Sequence, residues 1–112
     1  MIQKTARLPA KIHDALVAEA NKSGIGKPAV LAREIIVTRL RKGNWEALGT
    51  YCRDLPSVAV KDPRITIRFS DQYTDLVEKA AAQICDSKFN PLVLAILAER
   101  YSKAVRKAAK QT

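Results

Sequence analysis

Few residues in this chain are suited to covalent or acid–base chemistry, and they are scattered. His13 is the single histidine among 112 residues, and the only cysteines are Cys52 and Cys85, far apart in sequence. Neither cysteine has a second thiol or an imidazole at ligand spacing, so no metal site is expected. With no export signal in MIQKTARLPAK, the two are expected as reduced thiols rather than a disulfide. His13 falls on a predicted helix, expected to face solvent, and Asp71, Asp75 and Glu78 fall on the surface of another. There is no glycine-rich phosphate loop and no paired nucleophile and base. The expectation is a protein that is not an enzyme, with no catalytic residues, no cofactor and no small-molecule substrate.

A different chemistry is better represented. Gln3, Thr5 and Arg7 stand at every second position near the N-terminus, and Arg64, Thr66 and Arg68 do so again later. Alternate residues of a strand share a face. Each set therefore presents hydrogen-bonding groups in a row, with apolar residues on the other side. Ile65, Ile67 and Phe69 form the inward row of the second strand. Ala6 and Leu8 belong to the first, where Lys4 interrupts the pattern. Arginine can donate two hydrogen bonds to guanine, glutamine can pair with adenine, and threonine offers a hydroxyl and a methyl group.

The elements that position these rows repeat. After the first row an amphipathic stretch runs from Ala10 to Asn21, with Ile12, Leu16 and Ala20 on one side. After the second, Asp71 to Cys85 carries Tyr73, Leu76, Val77, Ala80 and Ala81 in the same way. Ser70 is the expected N-cap, and Ser23-Gly24 ends the first helix because glycine tolerates the left-handed turn. Second helices are expected over Pro28–Arg41 and Pro91–Lys107, with Asn90 capping the latter. The order strand, helix, helix thus occurs twice. The units are 1–43 and 63–112, joined by a connector at 44–62 in which Trp45, Leu48 and Cys52 line one side of a short helix. Trp45 is read as a packing anchor. The turn Ile84–Phe89 is expected to be two residues longer than its counterpart.

A lone two-faced strand cannot satisfy its backbone hydrogen bonds. Two in one chain can pair antiparallel over four helices, giving a mainly α fold with a two-stranded ribbon in one compact domain. The charge distribution suits a polyanion partner. The chain carries 20 Lys and Arg against 11 Asp and Glu, a net +9. Residues 1–43 hold a net +6, 63–112 a net +4, and the connector −1. No apolar run approaches the roughly 20 residues that span a bilayer, and the expected setting is cytoplasmic, with no membrane partner.

Arg64-Ile-Thr-Ile-Arg-Phe69 with its helix pair, and Thr5-Ala-Arg-Leu-Pro9 with Asn21-Lys-Ser-Gly24, resemble the ribbon-helix-helix family of DNA-binding proteins, the Arc/MetJ/CopG type. The likeness covers nearly all of the chain except the connector. Family members are usually homodimers. A chain with both copies looks like the tandem form found at plasmid transfer origins, and LPAKIHDALVAEANKSG resembles part of the first repeat there. The resemblance implies that Gln3, Thr5, Arg7, Arg64, Thr66 and Arg68 read bases of double-stranded DNA in the major groove. It implies phosphate contacts at Gly26, Lys27, Phe89 and Asn90, where each second helix begins. The function implied is that of a transfer-origin (relaxosome) accessory protein for plasmid conjugation, or of a transcription regulator. Its partners would be a relaxase or further copies of itself on DNA. The competing reading is an antitoxin or another protein-interaction module. A basic membrane-surface helix over Lys103–Lys110 ranks last.

Overall fold

A computed structural model of the chain describes residues 2–53, 61–85 and 88–101. In chain order these form β1 (Ile2–Arg7), α1 (Ala10–Lys22), α2 (Pro28–Lys42), α3 (Trp45–Arg53), β2 (Arg64–Phe69), α4 (Asp71–Ile84) and α5 (Phe89–Arg100). The fold is mainly helical with a two-stranded antiparallel sheet. No helix among the described residues is long and apolar enough to cross a membrane.

The sheet follows from the alternation. Every second side chain of β2, Ile65, Ile67 and Phe69, is buried, while Arg64, Thr66 and Arg68 are exposed. In β1, Ala6 is buried and Leu8, just beyond the strand, is fully enclosed. Lys4 holds its place in the inward row by running its stem along the core edge, with its ammonium 6.0 Å from the Phe89 ring centre. Phe89 in turn meets Phe69 edge-to-face at 5.9 Å. Each strand packs on a second helix, β2 on α2 and β1 on α5. The first strand therefore rests on a helix from the far end of the chain, and one continuous core joins all the elements.

The helices bury the expected stripes. Ile12, Leu16 and Ala20 face inward from α1, and Val77, Ala80 and Ala81 from α4. Tyr73 and Leu76 are half-buried beside them. Helix α5 is buried from Leu92 through Leu97 without interruption, as befits a helix packed on several sides. In the connector, Leu48 is buried, Trp45 and Cys52 pack against the core, and the Trp45 indole N–H donates to the Leu40 carbonyl at 2.9 Å. Trp45 is the expected anchor.

One local expectation holds in position alone, and two need correction. Ser70 stands at the N-cap of α4, but its side chain makes no capping bond. The hydroxyl of Thr74 instead donates to the Ser70 carbonyl. Helix α5 begins at Phe89 rather than Pro91, with Lys88 as its extended N-cap. A proline two residues inside the start is harmless because the first four N–H groups of a helix lack intrahelical partners anyway. The α4–α5 turn is consequently no longer than the α1–α2 turn, which spans residues 23–27. The described part of α5 ends at Arg100. The expected continuation to Lys107, the basic run Lys103–Lys110, and Pro56 all lie outside the described residues.

Two charged clusters lock helices together. Arg39 forms a two-pronged pair with Glu99, Nε to Oε1 at 2.6 Å and Nη2 to Oε2 at 3.3 Å. It also donates to the carbonyls of Gly43 and Asn44, closing the end of α2. Arg100 pairs with Glu19 through Nε at 3.1 Å and Nη2 at 2.5 Å, and the Tyr101 hydroxyl donates to the same carboxylate at 3.2 Å. The hydrogen-bonded Arg100 holds the Glu19 carboxyl below its ordinary value. Burial pushes Tyr101 up to about 12.

Candidate nucleic-acid interface

The register of the sheet decides what its outer face displays. Thr5 pairs with Thr66, Gln3 with Arg68 and Arg7 with Arg64. All six polar residues therefore project from the same side of the ribbon, opposite the core. At its centre the Thr5 and Thr66 hydroxyls lie 3.2 Å apart. Gln3, Thr5, Arg64, Thr66 and Arg68 are exposed and Arg7 is half-buried. No carboxylate belongs to this set. Arg7 and Arg64 stand opposite each other across the ladder.

The spacing is symmetric about the two threonines. Thr5 and Thr66 are 61 positions apart, as are Gln3 and Arg64, and Arg7 and Arg68. The same interval separates the starts of α1 and α4, at Ala10 and Asp71, and of α2 and α5, at Pro28 and Phe89. It also relates the buried residues Leu31, Ala32, Ile35, Ile36 and Leu40 to Leu92, Val93, Ile96, Leu97 and Tyr101.

The start of each second helix flanks one edge of the ribbon. At the β1 edge, Asn90 accepts the Arg7 backbone N–H on Oδ1 at 2.7 Å and donates through Nδ2 to the Arg7 carbonyl at 3.3 Å. At the β2 edge, Ala29, Val30 and Arg33 of α2 line a shallow cleft with Thr66 and Arg68. Neither α2 nor α5 has a side-chain cap, and the N-caps Lys27 and Lys88 are both exposed lysines. Such uncapped helix ends present backbone donors and the positive end of the helix dipole.

The four residues expected to touch phosphate fare unequally. Lys27 is exposed at the start of α2. Gly26 has a φ of +73°, but its N–H already donates to the Ala20 carbonyl at 2.9 Å. Phe89 spends its ring on Phe69 and Lys4, leaving only its backbone for an anion. The Asn90 amide is committed to the Arg7 backbone. Sequence reasoning passed over Lys88 and Arg33. Lys88 was legible as the lysine 61 positions after Lys27. Arg33 lies one helical turn after Ala29, so helical spacing alone puts both on the same side of α2.

Among the described residues no group of three or more potential metal ligands gathers. No sequence profile of a known family matches the chain, and comparison with curated proteins and with solved structures returned no match.

Proposed function

We propose that this chain is a tandem ribbon-helix-helix pseudo-dimer that binds double-stranded DNA without catalysing a reaction, laying its two-stranded ribbon in the major groove. One observation carries the reading. The antiparallel register centres on Thr5 and Thr66 and displays six hydrogen-bonding side chains on a single face, with no carboxylate among them. Paired strands lie about 4.8 Å apart, and a ribbon of that kind fits a groove about 12 Å wide.

In this reading Arg7, Arg64 and Arg68 donate to guanine edges, Gln3 reads adenine, and the threonines contact bases at the pseudo-symmetry axis. The free backbone N–H groups in the first turns of α2 and α5, those outside Pro28 and Pro91, grip phosphates on either side together with Lys27 and Lys88. Because Gln3 stands where the other strand has Arg64, the two half-sites differ, and the target is not palindromic. The biological setting that fits is a cytoplasmic accessory protein at a plasmid transfer origin, or a transcription regulator.

Selection of bound sequences from a random duplex pool tests this. The expected result is one enriched, asymmetric motif. Recovery of only perfect inverted repeats, or of no enriched motif, overturns the reading.

A further inference from the structure

The two cysteines are 33 positions apart, on different elements, yet the fold brings them together. Cys52 is on α3 and half-buried; Cys85 closes α4 and is 6% exposed. Their sulfur atoms lie 2.7 Å apart, in contact. Cys85 also organises the turn that follows it. Its N–H donates to the Ala81 carbonyl at 2.8 Å, and its carbonyl accepts the Lys88 N–H at 2.9 Å.

We propose that Cys52 and Cys85 form a thiol modification site that a low-molecular-weight disulfide, such as oxidised glutathione, converts into an intramolecular disulfide tying α3 to the α4–α5 turn. Cys52 is the entry point because it is the more exposed of the two. Its thiolate attacks one sulfur of the reagent, that S–S bond breaks, and a glutathione thiolate leaves. The Cys85 thiolate then attacks the Cys52 sulfur in the mixed disulfide and expels the second glutathione thiolate. The protein loses two hydrogens, and these end on two molecules of reduced glutathione. A second sulfur already in contact makes the second displacement intramolecular, so the mixed disulfide does not accumulate. The site does not depend on the DNA-binding reading.

The test is intact-mass analysis of the full chain, folded, after incubation with oxidised glutathione, followed by non-reducing peptide mapping. The expected product has lost two hydrogens and joins the Cys52 and Cys85 peptides. Closing a loop of this length raises Tm by on the order of 10 °C, reversed by dithiothreitol. The Cys52→Ser variant, folded as judged by circular dichroism, loses both the mass change and the Tm shift. A stable glutathionyl adduct on the wild-type chain overturns the proposal, as does a chain left unmodified. Cross-linking that occurs equally fast in urea also overturns it, because the folded contact would then play no part.

Discussion

Replacing Asn90 with alanine removes the two hydrogen bonds that fasten the outer edge of β1 to α5, at 2.7 and 3.3 Å. A net hydrogen bond contributes about 1 kcal/mol, with a range of roughly 0.5–1.5. The longer bond belongs at the bottom of that range. The freed Arg7 backbone groups lie at a sheet edge, where water can partly replace the amide. The expected loss is therefore about 1–1.5 kcal/mol, or a fall in Tm of roughly 5 °C for a domain of this size. Urea unfolding followed by the fluorescence of the single tryptophan, Trp45, measures it, and the slope m should not change. Arg7 is the residue that this amide holds in register. The variant should therefore also weaken binding to the selected DNA site at temperatures where it is fully folded, and leave binding to random duplex nearly unaltered. A loss below about 0.3 kcal/mol would refute the assignment of Asn90 as the anchor of β1. A uniform loss on every DNA sequence would return it to the role of phosphate contact.

Other substitutions separate the parts of the account. Arg68→Ala should cost about 1–3 kcal/mol on the selected site and far less on random DNA, by fluorescence anisotropy; equal losses would mean contact with phosphate alone. Ile67→Ala removes a fully buried side chain beneath the ribbon and should destabilise the fold by about 2–5 kcal/mol in urea. A value under 1 kcal/mol would contradict its burial. Glu19 titrates below its ordinary value of 4.5 because of Arg100. Its contribution is complete above the unfolded value and disappears as the pH falls below 4.5 through the lowered folded one. The pair is partly exposed, so about 0.5 kcal/mol is expected after screening. Glu19→Gln should remove that increment above pH 5 and leave stability near pH 3 unchanged. A difference that persists in acid would refute the pairing.

The parts of the fold written in local chemistry were legible in the sequence. The alternation Arg64-Ile-Thr-Ile-Arg-Phe69 dictates a two-faced strand, and Ile12, Leu16 and Ala20 dictate the buried side of α1. Helix α5 was harder to bound. Pro91 and Asn90 form a familiar cap-and-proline pair, yet Phe89 gains more by packing on Phe69, so tertiary contact begins the helix two residues earlier. That shift moves Asn90 from a cap facing solvent to the first turn, where its amide meets the edge of β1. Lys4 was legible as an irregularity but its solution was not, because the aromatic ring that accommodates it lies 85 residues away. The meeting of Cys52 and Cys85 was equally hidden, since spacing along a chain says little about which helix ends converge. The six outward residues could be read in advance because strand period alone assigns them to one face.

Methylation interference on the selected DNA site addresses the ribbon itself. Dimethyl sulfate modifies guanine at N7 in the major groove and adenine at N3 in the minor groove. With the arginines of β1 and β2 seated on guanine edges, N7 methylation at those guanines should abolish binding while adenine methylation leaves it intact. Interference confined to adenine N3, or none at either position, would contradict a ribbon lying in the major groove.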